Sequence, residues 1–338
     1  MPEPPLLAVR GLHVTPWDRG RAVPAVRGVS FEVNAREVLA VVGESGAGKS
    51  LTARAVLGIP PHGAHVTGSV RLRGRELVGG SYADVWGRRM AFIPQDALTV
   101  LSPVHTIGDQ IAAAVRSVAK SSREEARARA VTALDRVGIA DAARRARAYP
   151  HEFSGGMRQR AVIAMAMVNE PELVVADEPT TALDPEVEAQ VLEVLTNARE
   201  ATGAALLLIT HDLRVVAGHA DRVLVMYAGR AVESGPVEPV FHTPRAPYTA
   251  GLLASLPPAE ADAADRWLPS IDGAPPSPTE LPHGCAFAPR CPLARQECEE
   301  AEPTLAAVAG QPGHLAACHR SVDLPVPATR LFARKATA

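Results

Sequence analysis

The sequence GESGAGKS, residues 43 to 50, has the residue types and spacing of a loop that binds phosphate. Its glycines allow successive backbone N–H groups to face an anion, its lysine carries a positive charge, and its serine hydroxyl is suited to Mg²⁺. An apolar run precedes the loop and a helical pattern follows it, a context that favours a nucleotide site over a plain glycine-rich turn. The predicted nucleotide-binding residues are Gly43, Glu44, Ser45, Gly46, Ala47, Gly48, Lys49, Ser50 and Leu51.

Two acidic residues end a second apolar run, LVVADEP at 173–179. In open α/β sheets, ligands bind at the carboxyl ends of the strands. We therefore predict that Asp177 holds Mg²⁺, directly or through water, and that Glu178 orients or deprotonates an attacking water. The alternative is that the acids only cap the next helix, and the presence of the phosphate loop favours the catalytic interpretation.

A third glycine-rich segment, FSGGMRQR at 153–160, opens a helical pattern that continues through AVIAMAMV. Ser154, Gly155 and Gly156 would thus offer backbone N–H groups and a positive dipole end to an anion. The phosphate loop already provides one such helix start, so a second is redundant within one subunit. An ordinary glycine-rich helix start is the alternative.

The elements that must position these residues alternate between strand and helix patterns, which predicts an α/β fold. Residues 106–150 are rich in Ala, Arg and Glu and contain a Ser122-x-x-Glu125 capping box, so they predict a helical subdomain. A hairpin is expected to turn at Ala228-Gly229. Strands are expected within 23–42, at 68–74, 89–95, 173–176 and 205–210, and helices from Ser50 and over 185–200.

Composition sets the class of the protein. The 338 residues are 47% hydrophobic and 4% aromatic, which suits two domains built on parallel strands under helices. Lys and Arg total 35 against 37 Asp and Glu, so the net charge of -2 does not favour nucleic acid as a partner. The apolar runs are shorter than the roughly 18 residues that a membrane helix needs. The N-terminal segment lacks the pattern of a secretory signal, which predicts a cytosolic location.

The order of the motifs resembles that of the ATP-binding subunits of ABC transporters, and the resemblance covers roughly residues 6 to 255. It identifies SGG with Met157 as the signature that acts on the ATP of a partner subunit. It also implies a P-loop ATPase fold with a β-subdomain and a helical signature subdomain at about 96–160, in an ABC domain spanning 1–240. Three further residues gain roles from it: Gln95 as the Q-loop glutamine, Asp184 of TALD as the D-loop aspartate, and His211 as the switch histidine.

In that family two nucleotide domains enclose two ATP molecules, each bound by the phosphate loop of one domain and the signature of the other. This arrangement would account for the redundant helix start. The resemblance implies ATP and Mg²⁺ as cofactors, with Ser50, Gln95 and Asp177 on the metal. It also implies an aromatic residue that stacks on adenine, for which Trp17 is the candidate.

All four cysteines lie in the last part of the chain: Cys285, Cys291, Cys298 and Cys318. The gaps of five, six and nineteen residues between them fit poorly with the short knuckles of structural zinc. Iron–sulfur clusters tolerate looser spacing, and disulfides are disfavoured in a cytosolic chain. The residues alone leave an iron–sulfur cluster, zinc and unligated thiols as alternatives.

The tail also resembles a family feature. APYTAGLLASLP, GCAFAPRCPLARQEC and AACH are similar to the C-terminal extension of ATPases from oligopeptide, dipeptide and nickel importers. The resemblance implies a small irregular domain over 241–338 in which the four cysteines hold a [4Fe–4S] cluster. It also implies a peripheral ATPase at the cytoplasmic face of the cell membrane that drives peptide uptake. The expected partners are a second ABC ATPase, as a paralogue in a heterodimer, two membrane permeases and an extracytoplasmic binding protein.

A different class, a soluble ABC ATPase acting on DNA or ribosomes, is the rival interpretation. Members of that class often carry long coiled-coil insertions or two ATPase units in one chain. This sequence has one phosphate loop, one signature and no long heptad run, which favours the importer.

Overall fold

The computed structural model of the chain describes residues 4–18, 20–181, 183–256 and 269–332. Its strands are β1 (Leu7–Thr15), β2 (Trp17–Asp18), β3 (Arg21–Ala22), β4 (Val26–Val33), β5 (Val38–Val42), β6 (His65–Leu72), β7 (Arg75–Glu76), β8 (Met90–Ile93), β9 (Leu173–Asp177), β10 (Ala205–Ile209), β11 (Arg222–Tyr227), β12 (Arg230–Pro236), β13 (Ala306–Ala307) and β14 (Leu315–Ala316). Its α-helices are α1 (Lys49–Val56), α2 (Ala97–Val100), α3 (Ile107–Val118), α4 (Arg123–Arg136), α5 (Ala142–Arg145), α6 (Gly155–Met167), α7 (Pro185–Thr202), α8 (Leu213–His219), α9 (Val237–His242), α10 (Pro247–Ala254) and α11 (Gln296–Glu300).

The chain forms two compact units that are interleaved along the sequence. Unit 1 comprises Met1–Leu7, Glu32–Val38 and Leu72–Ile209, and unit 2 comprises Ala8–Phe31, Leu39–Arg71 and Thr210–Ala338. The boundary predicted near residue 240 falls inside unit 2 and stays a prediction, as does the extent of the helical subdomain.

Unit 1 contains three parallel strands in the order β8-β9-β10, with Leu173 of β9 paired to Met90 on one side and to Ala205 on the other. Every residue of β9 and β10 is buried, as expected for the uniformly apolar runs from which they were predicted. The predicted helical region is also present, as α3 and α4 together with α6. The Ser122 hydroxyl accepts from the Glu125 N–H at 3.1 Å, which gives α4 the N-terminal cap expected from its sequence.

Unit 2 contains the parallel pair β5 and β11, in which Arg222 pairs with Leu39. β11 and β12 form the predicted hairpin. Ala228 and Gly229 turn it with φ angles of 45° and 81°, the left-handed conformations that a tight hairpin requires. β14, from the C-terminal part of the chain, pairs with β12, so this part of the chain adds strands to the same sheet.

The core of unit 2 joins β5 and β11 to the C-terminal part of the chain. One buried cluster includes Val42 of β5, Val225 of β11, Tyr248 of α10 and Phe287. Burial of large apolar and aromatic side chains is the main source of stability in such clusters. Residues 246–254 and 285–291 are therefore packed parts of unit 2. Over the described ranges, no helix has the length and apolar character needed to cross a bilayer.

Candidate functional site

The phosphate loop connects β5 to α1, as the sequence predicted. Its backbone runs so close to neighbouring strands that two positions have no room for a side chain. A Cβ at Gly43 would lie 2.1 Å from the Met226 carbonyl oxygen, and one at Gly48 would lie 2.6 Å from the Ala25 carbonyl oxygen. Both glycines also have positive φ, at 148° and 97°. Glycine is therefore required at these positions by space and by backbone conformation.

Lys49 is the first residue of α1 and is buried, with 6% of its surface exposed. Its Nζ donates to the carbonyl oxygens of Gly43 at 2.7 Å and of Glu44 at 3.1 Å. These bonds hold the ammonium group inside the loop. A positive charge at a helix N-terminus surrounded by backbone N–H groups is suited to binding an anionic phosphate.

Two residues that sequence reasoning missed contact Glu44. The Glu44 N–H donates to the Tyr248 hydroxyl at 2.8 Å, and the Glu44 carboxylate receives two bonds from the Arg290 guanidinium, at 2.7 and 3.0 Å. The bonds to Glu44 raise the pKa of Arg290 above its ordinary value, and burial raises the pKa of Tyr248. These contacts join residues 204 and 246 positions apart, so no local sequence signal could have revealed them.

His211 and Trp17 are both exposed residues of unit 2. His211 follows Thr210, whose N–H donates to the Val41 carbonyl oxygen at 3.1 Å, one residue before the end of β5. Trp17 lies in the two-stranded ribbon of β2 and β3, and 61% of it is exposed. An exposed ring leaves a face free for stacking, but the proposed roles of these two residues stay predictions.

Asp177 and Glu178 lie at the carboxyl end of β9 in unit 1. Asp177 is 3% exposed. Glu178 has a φ of 48°, a left-handed conformation that is uncommon for a residue other than glycine and occurs both in turns and at functional sites. Its carboxylate accepts from Gln95 Nε2 at 3.3 Å and from Thr181 Oγ1 at 2.9 Å. The structure thus brings together two residues that the sequence assigned to catalysis, Gln95 and Glu178.

The SGG segment begins a helix, as predicted. Ser154 is the N-cap of α6, and its hydroxyl accepts from the Met157 N–H at 3.3 Å. A Cβ at Gly156 would lie 2.5 Å from Cγ1 of Val187, so glycine permits close packing of α6 on α7, whereas Gly155 is exposed.

Asp184, for which the sequence predicts a D-loop role, is the N-cap of α7, because its carboxylate accepts from the Val187 N–H at 3.1 Å. This contact gives Asp184 a structural role within its own subunit, and its role in a dimer stays a prediction. Ala182 of the same motif lies outside the described residues.

The four cysteines line one cavity of about 50 Å³, together with Tyr227, Tyr248 and Phe287. Burial raises the pKa of Cys291 to about 11 and that of Cys318 to about 12. Among the residues that the structure describes, no three His, Cys, Asp or Glu side chains converge as a ligand group for a metal ion. The predicted [4Fe–4S] cluster is therefore not supported.

Two family profiles match this chain. Residues 26–181 match the ABC transporter family, and residues 232–298 match the oligopeptide/dipeptide transporter C-terminal region. The oligopeptide transport ATP-binding protein OppD of Mycobacterium tuberculosis is 52% identical over 321 residues, which are 94% of this chain and 52% of that protein. The chain thus spans about half the length of OppD. The dipeptide transport ATP-binding protein DppD of Bacillus subtilis is 45% identical over 303 residues, 88% of this chain and 90% of that protein.

Solved structures show the same fold. The ATP-binding cassette MJ0796, in a dimeric structure bound to ADP and Pi, has a TM-score of 0.61 at 23% identity and covers 68% of this chain and 98% of its own. The cbiO1 protein of Clostridium perfringens has a TM-score of 0.59 at 24% identity, over 71% of this chain and 91% of its own. The ABC ATPase fold and the oligopeptide/dipeptide transporter C-terminal region expected from the motifs are both confirmed. The chain belongs to the ABC transporter ATP-binding proteins that carry the oligopeptide/dipeptide transporter C-terminal region.

Proposed function

We propose that this chain binds and hydrolyses ATP as a subunit of an ABC importer that takes up di- or oligopeptides. The observation that carries the proposal is the union, in one chain, of an ABC domain with the oligopeptide/dipeptide transporter C-terminal region. The names of the relatives OppD and DppD support peptides as the transported class. Nickel or another small solute is the second candidate, because the tail also resembles that of nickel importers.

The residues of the two units take complementary chemical roles in this proposal. The phosphate loop and Lys49 bind the phosphates, and Trp17 stacks on the adenine. Glu178, held by its bonds from Gln95 and Thr181, orients or deprotonates the attacking water. His211 contacts the γ-phosphate. Mg²⁺ would be held by Ser50, Gln95 and Asp177 and would neutralise charge on the phosphates.

A second ABC ATPase completes the proposal, because Ser154, Gly155, Gly156 and Met157 would act on the nucleotide of that partner. The exposure of Ser154 and Gly155 at the start of α6 supports this role, since both can be reached from outside the subunit. Asp184, also exposed, would accompany them. We propose a paralogue as the partner, in a heterodimer that closes on ATP and opens after hydrolysis.

The remaining partners follow from the importer class. We propose that the chain binds two membrane permeases at the cytoplasmic face of the cell membrane, and that an extracytoplasmic protein delivers the peptide. The ATPase domain would span 1–240, with its helical subdomain at about 96–160, and the C-terminal domain 241–338. A net charge of -2 gives no support to a nucleic-acid partner.

A [4Fe–4S] cluster on Cys285, Cys291, Cys298 and Cys318 remains part of the proposal. The shared cavity of the four thiols is the reason to test the cluster, because the described side chains by themselves form no metal-ligand group. Protein purified without oxygen should be brown and contain iron, and Cys291→Ser should remove the colour. Colourless wild-type protein that contains only zinc would contradict the cluster.

The transport proposal is tested with the assembled complex in sealed vesicles. ATP should drive accumulation of a labelled peptide, and Lys49→Ala should abolish it because the phosphates lose their buried cation. Accumulation of nickel but not peptide would select the second candidate. ATP hydrolysis without uptake of either solute would contradict the importer function.

A further inference from the structure

Glu44, the second residue of the phosphate loop, is held at three points. Its N–H donates to the Tyr248 hydroxyl, its carbonyl oxygen accepts from Lys49, and its carboxylate accepts two bonds from Arg290. Tyr248 and Arg290 both belong to the part of the chain that follows the β11–β12 hairpin. We propose that Arg290 and Tyr248 are positioning residues for the phosphate loop, through which the C-terminal region sets the affinity for ATP.

Arg290 is itself fixed in place. Its side chain is only 6% exposed, and its guanidinium also donates to the Asp272 carbonyl oxygen at 2.9 Å and the Tyr227 hydroxyl at 3.2 Å. It lies over the rings of Tyr227 and Phe287, at 5.8 and 5.9 Å from their centres. A guanidinium held by this many partners is pre-organised, so the carboxylate it binds is fixed as well.

The negative charge of Glu44 is the reason that the position of its side chain affects nucleotide binding. A carboxylate in a loop that must accept a polyanionic triphosphate is repelled by the phosphates if it is free to approach them. Arg290 neutralises that charge with a planar two-bond contact and fixes its position. Tyr248 fixes the backbone N–H of Glu44, and the carbonyl oxygen of Glu44 accepts a bond from Lys49. Loss of either partner should therefore weaken ATP binding without removing a group that touches the nucleotide.

The inference rests on the proposed ATP site, and its test is binding of a fluorescent ATP analogue and of ADP to the purified full-length chain. The variants are Arg290→Met, Arg290→Lys, Tyr248→Phe and the double variant Arg290→Met with Glu44→Gln. The control is Arg230→Met, because Arg230 also pairs with a glutamate of unit 2, Glu302, through one contact at 2.6 Å that does not involve the phosphate loop.

We expect Arg290→Met to raise the Kd for the ATP analogue roughly tenfold, equivalent to about 1.4 kcal/mol, and to raise the Kd for ADP less, because ADP carries less charge. Arg290→Lys keeps the charge but loses the paired geometry, so its effect should be smaller. Tyr248→Phe should weaken binding by a few-fold, since it removes a single neutral hydrogen bond to the loop. Arg230→Met should leave the Kd unchanged.

The double variant separates an electrostatic positioning role from a merely structural one. If Arg290 acts by neutralising and holding Glu44, removing the carboxylate should restore much of the affinity lost in Arg290→Met. A structural defect would persist in the double variant.

The outcomes distinguish this inference from the proposed function. Wild-type protein that fails to bind the ATP analogue would overturn the ATP site itself. Wild-type protein that binds, with Kd values unchanged in Arg290→Lys and Tyr248→Phe, would overturn the inference alone, even if Arg290→Met fails to fold. Loss of affinity that Glu44→Gln does not restore would also overturn it.

Discussion

The two regions that carry the candidate chemistry are held by different means. In unit 1, Glu178 is fixed by Thr181, three residues away, and by Gln95, which follows the neighbouring strand β8. In unit 2, the phosphate loop is fixed by residues 204 and 246 positions further along the chain. Glu178 at the end of β9 is therefore held from its own sheet and from the turn after it, whereas the phosphate loop is also held from the C-terminal region.

The largest expected effect is a loss of ATP hydrolysis when Glu178 of unit 1 is replaced, with ATP binding retained. Glu178→Gln should lower ATP hydrolysis by the purified complex about 10²–10⁴-fold, because the amide cannot accept a proton from water. Binding of the ATP analogue should be retained, since the phosphate loop is unchanged. Phosphate release measured beside nucleotide binding checks both points.

The control for this variant is Glu186→Gln, which removes an acid from the first turn of α7 in the same unit. It should hydrolyse ATP at close to the wild-type rate. Near-normal ATP hydrolysis by Glu178→Gln would contradict the proposed role of Glu178. The acidic end of β9 would then not be a catalytic region.

A second variant tests how much one buried contact of the C-terminal region contributes to the stability of unit 2. His314 and Glu233 form a pair at 2.7 Å with both side chains fully buried, and the Glu233 carboxylate also accepts from the Arg245 and Ala246 N–H groups. His314→Ala leaves that buried carboxylate without its side-chain partner, so the free energy of unfolding should fall by about 3–5 kcal/mol. Urea denaturation followed by circular dichroism measures the change.

An exposed pair of unit 1 provides the matching control. Arg136 and Glu170 lie 3.5 Å apart with 63% of each side chain exposed, so Arg136→Ala should cost less than about 1 kcal/mol. Equal losses for the two variants would show that the C-terminal region adds no more to stability than a surface ion pair does.

A smaller effect, dependent on pH, is expected at Glu302 in unit 2. Burial alone would raise the pKa of Glu302, but bonds from Arg27 and Arg230 outweigh it and hold the pKa below its ordinary value of 4.5. A depressed folded pKa contributes stability above the unfolded value, and that stability is lost as the pH falls below about 4.5. Glu302→Gln should therefore cost about 1.5–3 kcal/mol at pH 7 and less in acid.

Thermal unfolding of the wild type and this variant from pH 7 down to pH 3 would check the sign. The gap between the two melting temperatures should narrow in acid. A constant difference between the two melting temperatures would mean that the charge of Glu302 does not contribute to stability.

Local motifs account for what could be predicted. The order of strands and helices followed from apolar runs and caps such as Ser122, because each of these signals lies within a few residues of its effect. The contact between Gln95 and Glu178 could be expected as well, since both follow strands of one parallel sheet, where carboxyl ends meet at one edge.

The rest depended on tertiary packing. Arg290 and Tyr248 occur in segments with no feature that points to the phosphate loop, and only packing of the aromatic cluster around Tyr227 brings them to Glu44. The cysteines show the limit of a local signal. Their crowding in the sequence is matched by their place around one cavity, but it does not establish that they form a metal site.

The contact between Arg290 and Glu44 bears on protein engineering by exchange of segments. A chimera that receives its C-terminal region from a related protein also receives whatever residue stands at position 290. If that residue cannot pair with the acid at position 44, the chimera would keep every ATPase motif and still bind ATP weakly. The two positions should be transferred together.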